Sequence, residues 1–402
     1  MALWRSTVIV SAMTMLSRVL GLVRDIVLLN VFGAGKDFDT FVVAFRIPNF
    51  FRRLFAEGAF SQAFIPVLTE YKTGRTHAEV QILISRVFGC LMTVMTALTF
   101  LAMVAAPAVL YIYAPGFHAD PEKFDLAVSM FRLTIPYLLF MSLTAFASSI
   151  LNSYGSFASP AFSPVLLNVA MIAGAWWLTP YMAEPIMALG WAVIAAGVLQ
   201  LAIQIPELWH KKLLIPPKVD FKHEGVDRIM KLMLPALFGV SVTQINLLLN
   251  TIWASFMQDG SVSWLYSAER MTELPLGLIG VAIGTVILPA LSTRHAEQDM
   301  SKFRGMMDWA AKVIVLVGVP ASIALFMLST PIIQALFQRG QFTIEDTQMT
   351  ALALQCMSAG VISFMLIKVF APGFYAQQDT KTPVRVGLMA VAANAILNVV
   401  FI

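Results

Sequence analysis

The residues of this chain whose types could do chemistry are charged side chains set inside strongly apolar stretches. Arg18, Arg24 and Asp25 lie in the first such stretch, and Asp39, Arg46, Asn49, Arg52, Arg53 and Glu57 lie in the second. Glu269, Arg270 and Glu273 lie in the eighth. Their spacing is helical. Asp39, Arg46 and Arg53 stand seven apart and fall along nearly one stripe of a helix, and Arg18 and Asp25 share another. Arg53 and Glu57 form an i,i+4 pair, and Glu269 and Glu273 are one turn apart with Arg270 beside them. Facing lipid, each such charge would cost roughly 2.5–3.5 kcal/mol at mid-membrane. These faces must therefore line a hydrated cavity or a polar interface between helices. Arginine in excess suits a polyanionic ligand, because guanidinium grips phosphate oxygens in a bidentate fork and keeps its charge. The flanking acids can neutralise the site when it is empty, or exchange partners. Internal salt bridges without a ligand are the competing reading. They would suffice for one pair; six arginines in three stretches favour binding.

Other chemistries find no support. There is no HExxH, no Walker A sequence, no Asp-rich metal motif, and no histidine in the charged stretches. His77, His118, His210, His223 and His295 fall in loops or at span ends, without metal-ligand spacing. Cys90 and Cys356 sit in separate apolar stretches and read as packing residues. An enzyme acting on a lipid pyrophosphate would need a nucleophile, an acid–base pair or a metal cluster. Neither an enzyme nor a cofactor is expected.

The elements that position these charges follow from composition. Of 402 residues, 58% are hydrophobic and only 12% charged; mean hydropathy is +0.78. A soluble domain carries roughly 25% charged residues, so the solvent is a bilayer and the spanning elements are helices or a closed barrel. The apolar runs reach about 20 residues and do not alternate with period two, which excludes a barrel. The expected class is an all-α polytopic membrane protein with about eleven spans, near 6–32, 38–70, 80–113, 126–153, 161–180, 186–208, 229–257, 262–292, 306–337, 347–375 and 384–402. Pro48 in the second span either kinks it or frees carbonyls toward a cavity. Gly277, Gly280 and Gly284 read as close helix packing. The last span stops in mid-run, which suggests a longer protein only partly covered. Arg18, Arg24 and Asp25 interrupt the first run, against a signal peptide.

Lys and Arg set the orientation. With the N-terminus in the cytoplasm, fourteen loop cations fall inside and three (Lys36, Lys123, Arg339) outside. The pI of about 9.0 reflects these loops rather than nucleic-acid binding. The loop from His210 to Lys231 is the most basic. It reads first as a topology determinant, and second as a segment on the anionic leaflet with a short interfacial helix.

The two halves resemble each other at an offset of about 220 residues: Ala44 and Arg46 align with Ala268 and Arg270, and Ile-Pro-Val-Leu at 65–68 with Leu-Pro-Ala-Leu at 288–291. The segment 162–172 resembles 381–391. An even number of spans separates the copies, so the expected architecture is two pseudo-twofold-related lobes around a central cavity, 1–215 (spans 1–6) and 216–402 (spans 7–11), with alternating access by rocking.

The stretches 11–35, 39–72, 260–292 and 368–384, among them "DTFVVAFRIPNFFRRLFAEGAFSQAFIPVLTEYK", resemble the MurJ (MviN) family of lipid II flippases in the MOP exporter superfamily. The resemblance implies about fourteen spans in the whole protein and a cationic cavity that moves undecaprenyl-pyrophosphate-linked disaccharide-pentapeptide from cytoplasm to periplasm. It implies that Arg18, Arg24 and Arg270 hold the pyrophosphate, and that Asp39, Arg52, Arg53, Glu57 and Glu273 belong to the same cavity. Arg46 stands where relatives often carry Lys, and Glu269 where they often carry Asp. It also implies a groove for the polyprenyl tail in spans beyond Ile402. Partners expected are lipid II, membrane lipids and cell-wall synthesis proteins, with no nucleic acid and a monomeric carrier. The energy source stays open between a proton, sodium and the membrane potential, with Asp25, Asp39 and Asp379 as candidate coupling groups. The alternatives are another MOP-type exporter, either a lipid-linked oligosaccharide flippase or a cation-coupled drug antiporter, and a non-transporting scaffold. A cationic-drug carrier should have an acidic or aromatic cavity, which the arginine excess opposes.

Overall fold

A computed structural model describes residues 2–54, 60–277, 281–379 and 381–401, with the backbone alone at 2–8, 52–54, 235–245, 281–282, 284–286 and 401. Among the described residues the chain is helical and has no strand. The helices are α1 (Ala2–Phe32), α2 (Lys36–Leu54), α3 (Phe60–Gly74), α4 (His77–Val104), α5 (Ala106–Tyr113), α6 (Pro121–Thr134), α7 (Tyr137–Ser153), α8 (Ala158–Ala173), α9 (Met187–Ala202) and α10 (Ile205–His210). They continue with α11 (Glu224–Ala254), α12 (Ser261–Pro275), α13 (Val281–Ala296), α14 (Met300–Met327), α15 (Ser329–Phe337), α16 (Ile344–Ala376) and α17 (Lys381–Phe401). Over its described residues each apolar stretch read from the sequence is mainly helical. Among the described residues seven runs are long and apolar enough to cross a membrane: His77–Val104, Pro121–Ser153, Ala158–Tyr181, Met187–His210, Met300–Met327, Ile344–Ala376 and Lys381–Val400.

Local chemistry sets the helix ends. At α4 the Thr76 hydroxyl accepts from the Glu79 N–H while the Glu79 carboxylate accepts from the Thr76 N–H, a reciprocal capping box that Thr343 and Asp346 repeat at α16. Asp120 caps α6 by accepting from the Lys123 N–H. Lys36 donates to Asp120 at 2.7 Å, and this contact holds the Asp120 carboxyl below its usual range and raises the Lys36 ammonium. Gly260 precedes α12 at φ +94°, and a Cβ there would lie 2.8 Å from the Ala34 carbonyl oxygen. Only glycine satisfies both demands. Prolines interrupt the apolar runs. Pro107 opens α5, and Pro136 separates α6 from α7.

The sequence repeat reappears as a repeat of elements. Helices starting at 77, 121 and 158 recur at 300, 344 and 381, a constant offset of 223. The helices α4 and α14 are both 28 residues long, each followed by a short helix, and the 31-residue α1 has its counterpart in the 31-residue α11.

By contacts the chain divides into two compact units, Met1–Val31 with Lys36–Gln258, and Phe32–Gly35 with Asp259–Ile402. In the first, α2 packs on α6, α9 on α7 and α8, and α11 on α3. By repeat α11 opens the second copy; by contacts it packs within the first unit. One core of this unit gathers Phe64, Leu68, Leu83, Ile84, Ile150 and Leu151. In the second unit α16 is the central helix, contacted by α12, α13, α14 and α15, and Ile314, Met365 and Val369 are fully buried. Trp176, Trp177 and Tyr181 are exposed at the end of the run that begins with α8, the placement aromatic side chains take at a membrane–water boundary.

The basic connection from α10 to α11 contains no interfacial helix. It is an extended strap, because Pro216 and Pro217 offer no N–H to a helix and bias the preceding backbone toward extended conformations.

Candidate functional site

In α1 the charged residues take two different positions. Arg18 is exposed and makes no hydrogen bond or ion pair among the described residues. Arg24 and Asp25 are buried, at 5% and 3% exposure. Arg24 donates through Nε and Nη2 to a single Asp25 carboxylate oxygen, at 2.9 and 2.6 Å. Its Nη1 donates to Asn168 Oδ1 on α8 at 3.1 Å. Asn168 in turn donates from Nδ2 to the Ser17 carbonyl at 3.0 Å, so one amide ties α8 to about two turns' length of α1. A buried cation is tolerated only when paired and hydrogen-bonded, and this set of contacts meets that demand.

The stripe on α2 meets a different neighbour at each level. Asp39 is 1% exposed and accepts from Lys123 Nζ of α6 at 3.1 Å, while the ammonium also stands 4.2 Å from the Phe117 ring centroid. Lys123 was read from the sequence as an outward loop charge; it is buried at 3% because Asp39 receives it. One helical stripe further on, Arg46 is half-buried and donates to Thr251 Oγ1 of α11 at 2.6 Å. Asn49 is half-buried on α2. Arg52 and Arg53 continue the helix with their side chains outside the described set, and Glu57 lies outside the described residues, as does Gly280.

In the second unit Arg270 of α12 donates through Nη1 to Glu273 at 3.1 Å and through Nη2 to the Tyr266 hydroxyl at 3.1 Å. Its guanidinium carbon stands 5.1 Å from the Tyr266 ring centroid. Glu273 is exposed and Glu269 half-buried. The structure thus brings together Arg24 with Asp25, and Arg270 with Glu273. Asn168, Lys123, Thr251 and Tyr266 are partners that sequence reasoning missed. Tyr266 had a signal, since it stands one turn before Arg270. Asn168 had a weaker one, as a lone amide in an apolar span.

Chemically, two guanidinium groups on helices of an apolar bundle, each answered by an adjacent carboxylate, can exchange that carboxylate for phosphate oxygens. Among the described residues no group of three or more His, Cys, Asp or Glu has the geometry of a metal site. Proline-broken apolar helices in two repeated sets, with charged faces on α1, α2 and α12, define a polytopic membrane transporter of the MOP exporter type. The same fold appears in the solved inward-facing conformation of a multidrug resistance MATE family transporter of the MOP superfamily (TM-score 0.75, 12% identity, 96% of this chain and 87% of that one). Within that class the chain belongs to the lipid II flippase MurJ family, whose sequence profile matches residues 28–402. A probable lipid II flippase MurJ of Vibrio cholerae is 47% identical over 99% of this chain and 77% of its own length. A solved lipid II flippase MurJ in an inward closed conformation superposes with TM-score 0.84 at 29% identity, over 98% of this chain and 81% of that one.

Proposed function

We propose that the chain exports lipid II from the cytoplasmic to the periplasmic leaflet of the bacterial inner membrane by alternating access, with its N-terminus in the cytoplasm. The observation that carries this reading is family membership, together with Arg24 and Arg270 held on apolar helices, each paired to a neighbouring acid. A pyrophosphate would displace Asp25 from Arg24, or Glu273 from Arg270, and take the guanidinium fork; the repeat-related lobes of this reading are 1–215 and 216–402. In this reading Arg18, Arg46, Arg52 and Arg53 also serve the headgroup with Asn49, Glu57 and Glu269, and Asp39 acts through its buried pair with Lys123. A guanidinium without a partner among the described residues, as at Arg18, is the first a headgroup could meet. The displaced carboxylates recover their arginines when the headgroup leaves, which resets the empty carrier.

The carrier makes and breaks no covalent bond, uses no cofactor, binds no nucleic acid, works as a monomer and serves the cell-wall synthesis proteins that consume exported precursor. Its energy comes from the membrane potential, at about 2.3 kcal/mol per charge per 100 mV, or from a coupled proton or sodium ion. A drug-antiporter reading is disfavoured by the arginine excess, and the 12% likeness to MATE transporters speaks to fold alone.

The test is lipid II translocation in cells making the full-length protein, with Arg18, Arg24 and Arg270 changed singly to Ala and to Lys and protein level followed. Ala at Arg24 or Arg270 is expected to abolish translocation at normal protein level, and Lys to restore part of it at most, since an ammonium lacks the bidentate fork. Normal translocation by all the variants would overturn the reading.

A further inference from the structure

The strap between α10 and α11 is not a loose tether. Gln81 of α4 donates to the Lys212 carbonyl at 2.8 Å, and Ser85 donates to the Pro216 carbonyl at 2.7 Å. The Lys218 N–H returns a hydrogen bond to the Ser85 carbonyl at 3.1 Å. Gly89, one turn further along α4, leaves room for the strap, since a Cβ there would lie 2.4 Å from the Lys218 carbonyl. Leu213 is buried in the core that Val226 and Ile229 of α11 also enter. The strap is therefore fixed along its length to a helix of the bundle.

Its outer face has an unusual charge balance. The acids around it are all occupied: Asp220 by Arg86 at 3.7 Å, Glu224 by Arg75 at 3.5 Å, Asp227 by Lys231 at 2.6 Å and Glu70 by Arg228 at 2.8 Å. Lys211, Lys212, Lys218 and Lys222 have no ion pair among the described residues, and the last three are exposed. Between them Val219 and Phe221 are exposed at 56% and 49%. Unanswered ammonium groups interleaved with outward apolar side chains fit one solvent boundary, that between anionic headgroups and acyl chains.

We propose that the strap is a docking surface for anionic phospholipid, with the four lysines on headgroup phosphates and Val219 and Phe221 among the upper acyl carbons. The anchoring on α4 holds the lysines in a fixed array, so binding does not pay the ordering cost of a free loop. Each lysine near an anionic leaflet strengthens association with it about fivefold. The proposal uses the cytoplasmic placement of this segment but not the identity of the transported lipid.

The test places a fluorophore at Pro217→Cys in full-length protein carrying Cys356→Ala, reconstituted in nanodiscs. Brominated phosphatidylglycerol or brominated phosphatidylethanolamine is supplied as quencher at equal mole fraction. At about 0.1 M salt the glycerol lipid is expected to quench several-fold more. The difference should close at about 1 M salt, where the screening length falls to about 3 Å. It should also close when Lys211, Lys212, Lys218 and Lys222 are all changed to Gln. Equal quenching at low salt, or a preference that survives loss of the four lysines, overturns the proposal. Translocation is not the readout, so either result leaves the export reading to its own test.

Discussion

At the scale of single residues the site is a matter of partners. Arg24 was legible because a guanidinium in an apolar run is costly enough to demand a reason. Its actual partners were less so. Helical periodicity put Asp25 on a stripe with Arg18, yet Asp25 pairs with its sequence neighbour Arg24, since periodicity gives a face and not a rotamer. Asn168 was invisible as a partner because nothing local marks which helix an amide will meet. Changing Asn168→Leu removes the acceptor for Arg24 Nη1 and the donor to Ser17. A hydrogen bond to a charged group contributes about 1.5–3 kcal/mol, so melting of the purified protein should fall by that order and translocation should drop with it. Unchanged melting and translocation would show that the amide holds nothing.

At the scale of elements hydropathy located every helical stretch, because burial in lipid demands long apolar runs and leaves little ambiguity. The breaks were harder to read. The third stretch, read as one span over 80–113, divides at Ala105 into α4 and α5, and the ninth divides at Leu328 into α14 and α15. Pro107 and Pro331, each in the first turn of the following helix, are common residues in membrane helices and do not by themselves announce a break. The packing of α2 on α6 also turns on a pair no local pattern predicts, Asp39 with Lys123. Changing Lys123→Met strands a carboxylate in a buried site and should cost about 3–5 kcal/mol, while adding Asp39→Leu should recover most of it, because a buried pair replaced whole is nearly neutral. Thermal melting of the two variants in detergent checks this; equal losses in both would mean that the pair does not carry the contact.

At the scale of the whole molecule the repeat was legible from a few aligned residues, and the constant offset of 223 shows why: duplicated helices keep their spacing along the chain even where their sequences and lengths drift. The expected orientation rests on loop charge. An impermeant maleimide should label Glu184→Cys from the periplasmic side and Gly74→Cys only after the membrane is opened, in protein with Cys356→Ala. Gly74 has open space for the new side chain. The reverse pattern would invert the topology. The pairing of Arg24 with Asp25 has a further consequence for the molecule in its bilayer. An anion arriving there enters a contest rather than a vacancy, and its apparent affinity is the difference between its own hold on the guanidinium and that of the resident carboxylate. A lone phosphodiester, the commonest anion of the surrounding lipid, offers little more than the group it must evict, whereas a diphosphate offers more charge and more oxygens. On the proposed binding role of Arg24, this built-in competitor would set a threshold that abundant lipids fail and a scarce cargo passes.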